Sequence, residues 1–243
     1  MKPSSHIKKI VSWLRMKIKE ASAKGIVVGV SGGIDSAVVA ALCRMALGSS
    51  RVLCLILPCL TLDEEIKDAK SICKKLKLKY KIVNLTPVYK NMLKILPAAD
   101  KIARGNLKPR MRMLTLYYFS NKHNYLVAGT GNKSELMLGY FTKYGDGGVD
   151  ILPIGGLVKG EVLAVAREIG ISEKIINKKP TAGLWPGQTD EEEMGLTYEY
   201  IDTELKRAVS GKDIRNKRMK ELMKKARHKL AMPEIFKGSR VKG

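Results

Sequence analysis

Acidic residues are scarce in this 243-residue chain: 23 Asp and Glu stand against 45 Lys and Arg, a formal charge of +22. Aromatic residues are scarce too, at 6%, and they do not interleave with the bases, which weighs against a surface built to stack on nucleic acid. The three histidines (His6, His123, His228) lie far apart, and the four cysteines (Cys43, Cys54, Cys59, Cys73) form no CxxC. A reduced, intracellular protein with buried thiols therefore fits better than a disulfide framework or a zinc site. The longest apolar stretch, Val52 to Leu60, is broken by Pro58 and is too short to span a bilayer. The N-terminus lacks a long apolar segment of the secretory type, so the cytoplasm is the expected compartment and no membrane is involved. What remains is 45% hydrophobic and 28% charged, the composition of a globular chain with a buried core. Its charge suits nucleic acid, an anionic surface, a polyanionic small substrate, or simply a solvated lysine-rich exterior.

Periodicity organises the chain. Residues 4–22 place Ile7, Ile10, Val11, Leu14 and Ile18 at helical spacing with lysines largely opposite. Short apolar, β-branched runs then alternate with amphipathic stretches. Strands are expected at 25–30, 52–58, 79–85 and 125–130, and helices near 37–47, 63–76, 87–96, 107–122 and 133–140. Nearly continuous apolar strands between helices predict an α/β fold, an open parallel sheet with helices on both faces. After Tyr140 a Gly/Asp-rich stretch reads as a functional loop, followed by a helix near 161–169, a second Pro/Gly stretch over 178–195, and a final helical region near 196–230. No repeat or low-complexity linker appears, so one domain is expected: an N-terminal helix (1–24), a parallel core (25–177), and a loop with a helical C-terminal extension (178–243).

The sharpest motif is SGGIDS, Ser31 to Ser36, between a predicted strand and a predicted helix. Two glycines let successive backbone N–H groups point into one concavity, the serines add hydroxyls, and the helix adds its positive end. That is an anion cradle. The GxxxxGK[ST] pattern is absent, so no loop lysine reaches toward β- and γ-phosphates. Asp35 stands there instead, and a carboxylate beside phosphate requires a bridging divalent cation, Mg2+.

SGGIDS in this setting resembles the pyrophosphate-binding loop of the ATP pyrophosphatases of the adenine-nucleotide α-hydrolase-like group. Four later segments narrow the resemblance to the NAD synthetase family: GNLKPRMRM (105–113), GTGNKSELMLGYFTKYGDGGVDILPIGGLVK (129–159), KPTAGLWPGQTDEE (179–192) and HKLAMP (228–233). They occur in the family's order, and the resemblance covers about residues 4–235. It implies an ammonia-dependent ligase that amidates deamido-NAD through an adenylated intermediate, with ATP as co-substrate, and a homodimer with the dinucleotide near the subunit interface. By the same resemblance Asp35 and Glu135 hold Mg2+. Gly29, Val30, Ser31, Gly32, Gly33, Ile34, Asp35 and Ser36, together with Thr130, Lys159 and Thr181, bind ATP. Arg110, Lys143, Asp150, His228 and Lys229 contact deamido-NAD. Asp35, Glu135 and Lys159 supply charge neutralisation, and Asp150 is a candidate to take a proton from ammonia. Pro109 departs from the small residue expected before the arginine.

The fold uses up the length, leaving no room for an amidase domain, so direct use of ammonia is expected. Two other readings share the fold: a tRNA-modifying ATP pyrophosphatase, or a nucleic-acid-binding protein without catalysis. The shortage of aromatics weakens both. Between residues 206 and 243 there are 14 bases against three acids, a surplus that the few site bases do not explain.

Overall fold

The computed structural model describes residues 2–185 and 187–236; three bases of the C-terminal tail (Lys237, Arg240, Lys242) lie outside the described residues. Helix α1 (Pro3–Glu20) leads into strand β1 (Gly25–Gly29) and helix α2 (Ile34–Leu47). Strand β2 (Val52–Ile56), helix α3 (Asp63–Lys75), strand β3 (Lys79–Ile82), helices α4 (Thr86–Ile95) and α5 (Lys101–His123), strand β4 (Tyr125–Ala128) and helix α6 (Lys133–Leu138) follow. All four strands are parallel, in the order β3-β2-β1-β4, with Ile26 beside both Val52 and Leu126.

Alternation of side chains along the strands separates two cores. Ile26, Val28, Cys54 and Ile56 face α1, α2, α3 and helix α7 (Lys159–Glu168), where Leu14, Val38, Leu42 and Val162 are fully buried. Each such aliphatic side chain contributes about 1.5–3 kcal/mol on leaving water. Val27 and Leu55 face the opposite way, against Tyr89 of α4 and Met111 of α5. Both faces of the sheet are therefore covered, as the apolar strands require. No helix among the described residues is long and apolar enough to cross a membrane.

Three boundaries differ from the periodicity. Helix α5 begins at Lys101, six residues before the expected start, because Asp100 caps it by accepting from Ala103 N (2.7 Å). It runs through Pro109, which withholds an N–H from the preceding turn but leaves the packing of Met111, Leu116 and Phe119 on the sheet intact. The acid-rich end of the second Pro/Gly stretch forms a short helix α9 (Asp190–Met194), after a single-turn helix α8 (Glu173–Ile176). The final helical region divides into α10 (Tyr198–Val209) and α11 (Lys217–Leu230): Gly211 turns with φ +78° and Asn216 starts α11 by accepting from Met219 N. These C-terminal helices pack on α6 through Leu138, Met194, Ile201, Leu205 and Met219.

Candidate active site

The chain leaves β1 toward α2 and β2 on one side and meets β4 on the other, so a crevice opens at the carboxyl ends of β1 and β4. Open α/β sheets bind ligands at such a point. A cavity of about 480 Å³ occupies it, within the size range of small-ligand sites. Among its walls are Gly29, Val30, Ser31, Gly33, Ile34, Asp35 and Ser36 after β1, Thr130 after β4, Glu135 of α6, Lys159 of α7, and Thr181 and Lys229 from the C-terminal third.

Gly32 does not line the cavity; it faces the other way, against α3. Its φ is +89°, and a Cβ there would lie 2.6 Å from Glu65 O, so only glycine fits. The two loop serines brace the turn. Ser31 N donates to Ser36 Oγ (3.2 Å), Gly33 N donates to Ser31 Oγ (3.2 Å), and Ser36 Oγ donates to Gly33 O (2.9 Å).

Asp35, Glu135 and Lys159 converge although they stand far apart in sequence. Lys159 Nζ lies 2.5 Å from Asp35 Oδ2 and 3.9 Å from Glu135 Oε1, and all three side chains are largely buried. Each is fixed by short-range chemistry. Glu135 forms a capping box with Asn132 at the start of α6, its Oε2 accepting from Asn132 N while Asn132 Oδ1 accepts from Glu135 N. Asn132, fully buried, also donates to Asp35 Oδ1 (3.1 Å), tying the two carboxylate segments together. Lys159 is the first residue of α7, whose open N–H groups are capped by Asp202: Gly160 N donates to Asp202 Oδ2 (2.6 Å) and Lys159 N to Oδ1 (3.3 Å).

Electrostatics follow from this crowding. Burial, then the neighbouring Asp35, push the Glu135 carboxyl up to about 8, against the pull of Lys159. Burial pulls Lys159 down, but Asp35 and Glu135 outweigh it and hold the ammonium charged. Two carboxylates focused on one cationic position, with hard oxygen donors and a phosphate cradle beside them, fit Mg2+, which commonly takes one or two carboxylates and completes its shell with phosphate and water. Among the described residues no group of three or more ligating side chains could hold a metal.

The remaining expected residues form a second group outside the cavity. An Arg110 guanidinium nitrogen donates to Lys143 O (3.3 Å), and the Lys143 ammonium donates to His228 O. Lys229 bridges the two groups: it lines the cavity while its ammonium donates to Gly139 O (2.7 Å) and Phe141 O (2.8 Å). Asp150 is not among the cavity residues. One of its oxygens accepts from Val127 N (2.7 Å) and the other from Tyr117 OH (2.8 Å), two turns of α5 beyond Arg110.

The model of the NAD synthase family matches residues 6–234. The chain belongs to this family. It is accordingly an enzyme of the ligase class. It is 50% identical over 232 residues to the NH3-dependent NAD+ synthetase of Carboxydothermus hydrogenoformans, covering 93% of this chain and 95% of that one. Among solved structures it is similar to the NMN synthetase of Francisella tularensis (TM-score 0.89, 34% identity, 97% of this chain and 98% of that one). It is also similar to the NH3-dependent NAD synthetase of Campylobacter jejuni in complex with nitrate (TM-score 0.83, 33% identity, 98% and 100%).

Several cavity residues carry no sequence signal of their own. Arg112 lines the wall and donates to Leu57 O (3.2 Å). Lys178 and Asp190 also line it, and Tyr198, behind it, donates toward Glu135 Oε1 (3.3 Å) and Asp190 Oδ2 (3.0 Å). The three-residue spacing of the Asn132–Glu135 cap was readable as a helix start, though not as a link to Asp35.

Proposed function

We propose that this member of the NAD synthase family makes NAD+ from deamido-NAD, ATP and ammonia through an adenylated intermediate. The observation that carries the reading is the convergence of Asp35 and Glu135 on Lys159 beside the phosphate loop. Backbone N–H groups at the start of α2, Ile34 to Ser36, receive the phosphates in the turn that Gly32 shapes, and Thr130 and Thr181 flank the nucleoside. Arg110, Lys143, Asp150, His228 and Lys229 receive the dinucleotide. An oxygen of the nicotinate carboxylate forms a bond to the α-phosphorus, and the bond from that phosphorus to its bridging oxygen breaks, releasing pyrophosphate. The carboxylate is already ionised, so this step needs no general base. It needs charge neutralisation, which the Lys159 ammonium provides in a largely water-excluded site. Asp35 and Glu135 would hold Mg2+, which when bound offsets the phosphate charge. The nitrogen of ammonia then bonds to the carbonyl carbon, the bond to the adenylate oxygen breaks, AMP departs, and the nitrogen gives up a proton to solvent water, since both oxygens of Asp150 are engaged by Val127 N and Tyr117 OH.

Direct use of ammonia is supported by the near-complete coverage of the Carboxydothermus relative, which is named for it. Four free, buried cysteines accord with a reducing cytoplasm. A homodimer is supported by an apolar strip on α5, where Leu114 and Tyr118 are 65% and 62% exposed one turn apart, on the helix that carries Arg110.

The decisive assay combines ATP, Mg2+, ammonium and deamido-NAD and measures AMP, pyrophosphate and NAD+, with Asp35→Asn as control. Stoichiometric products and a rate lower by on the order of 10²-fold in the variant are expected. An unchanged rate in Asp35→Asn removes Asp35 from the site. Turnover of glutamine by the protein alone would overturn direct ammonia use. The likeness to the Francisella NMN synthetase favours a second reading, amidation of nicotinate mononucleotide, and running that substrate beside deamido-NAD decides between them.

A further inference from the structure

The phosphate loop carries no lysine, yet a lysine stands at its edge. Asp68 of α3 is 4% exposed and lies directly behind the loop: a Cβ on Gly32 would meet Asp68 Cβ at 3.2 Å. Two ammonium groups serve this one carboxylate. Lys174 Nζ lies 2.7 Å from Oδ1 and Lys178 Nζ 3.1 Å from Oδ2. The two lysines differ in setting. Lys174 is largely solvated and also pairs with Glu64 (3.3 Å), whereas Lys178 is mostly covered and lines the cavity beside the phosphate loop.

We infer that Lys178 is a phosphate-binding residue, parked on Asp68 and passed to the β- and γ-phosphoryl oxygens of ATP, and so to pyrophosphate. This rests on the reading of Ser31–Ser36 as the pyrophosphate cradle. A single buried carboxylate needs one cationic partner, because an uncompensated buried charge is costly. Lys174 remains on Asp68 when Lys178 leaves, so the transfer strands no charge. A lysine is suited to the move: its ammonium is a compact charge with three donors on a flexible four-carbon stem. The segment after α8 thereby supplies, from 142 positions beyond Ser36, the cation that the loop itself lacks.

Isothermal titration with pyrophosphate in the presence of Mg2+ tests the inference without requiring turnover. A charge-assisted hydrogen bond to phosphate corresponds to roughly tenfold to hundredfold in affinity. Lys178→Met should weaken pyrophosphate binding by about that factor and raise KM for ATP in parallel, leaving KM for deamido-NAD within about twofold. Lys178→Arg should restore most of the affinity, whereas Lys174→Met leaves Lys178 as the one counter-ion of Asp68 and should also weaken binding, a loss that Asp68→Asn on the Lys174→Met background should recover by releasing Lys178. Lys178→Gln, which keeps a donor for Asp68 without the charge, repeats the test should the Met variant fold poorly. Unchanged affinity in the Lys178 variants overturns the inference, as does a loss in Lys174→Met that Asp68→Asn does not recover, which marks both lysines as fasteners of α3. Wild-type protein that binds pyrophosphate but forms no NAD+ refutes the proposed function alone; failure of wild type to bind pyrophosphate refutes the cradle and this inference together.

Discussion

Glu135 holds two duties that pull against each other. One oxygen closes the cap of α6, and the other faces Lys159 and Tyr198 in a buried, acid-crowded pocket. Its folded-state carboxyl titrates near 8, above the ordinary glutamate value of about 4.3. A raised carboxyl binds its proton more tightly in the folded state, so its contribution to stability is complete below about pH 4.3 and is lost as pH rises toward 8. Glu135→Gln should therefore flatten the fall of melting temperature between pH 5 and 8, seen by scanning calorimetry without nucleotide, while lowering synthesis by on the order of 10²-fold. Asp68 behaves oppositely. Burial pushes its carboxyl up, but the hydrogen bonds from Lys174 and Lys178 outweigh this and hold it below the usual range. That stability is present above about pH 4 and lost as pH falls through the lowered value, and Asp68→Asn should remove this acid-side loss in the same scans. Asp35, Glu135 and Lys159 were legible in the sequence because motif order singled them out. Asn132, Tyr198 and Asp202 were not, since a buried amide, a phenol and a cap mean nothing until the segments they join are neighbours.

Elements were legible where one period dominated. The strands and α1 to α4 follow from apolar spacing: β1 and β2 are covered on both faces and α2 is buried nearly all round, while the edge strand β3 leaves Lys79 and Lys81 to solvent. The start of α5 was hidden because residues 101–106 carry Gly105 and little apolar spacing; a cap at Asp100 extends the helix over them. The same helix fastens the segment over the cavity: Lys108 Nζ donates to Leu184 O (2.7 Å), and a Cβ on Gly105 would sit 3.2 Å from the Trp185 ring. Gly105→Val should lift that segment and raise KM for ATP severalfold, whereas melting temperature should change by no more than about 2–4 °C. In the phosphate loop, Gly32→Ala meets both a positive φ and the Glu65 carbonyl, and should cost about 1–3 kcal/mol. Chemical denaturation measures the loss, and pyrophosphate titration should show binding weakened with it.

For the whole molecule, the charge of +22 exceeds what the cavity can use, since Arg112, Lys159, Lys178, Lys179 and Lys229 are the cations among its walls. Most of the described C-terminal bases lie on exposed positions of α10 and α11. Such charges steer anionic substrates more than they stabilise, so raising ionic strength should slow ATP association with little effect on melting. The dimer proposed through α5 is open to a direct test. Leu114→Lys with Tyr118→Lys should give a monomer by light scattering and weaken deamido-NAD binding, because Arg110 lies one turn from Leu114.

The order β3-β2-β1-β4 has a kinetic meaning as well. Asn132 and Asp35, which meet across the crevice, are 97 positions apart, and Lys159 and Asp35 are 124 apart. The centre thus exists only after β4 has closed a loop of about a hundred residues onto β1, a slow event because its entropy is lost before any contact compensates. On the proposed function, a nascent chain that has ordered α1 to α3 has the Ser31–Ser36 turn but not Glu135, so nucleotide binding is expected to precede the capacity for synthesis. In refolding experiments, activity should return with the β1–β4 pairing and not with the bulk of helical signal.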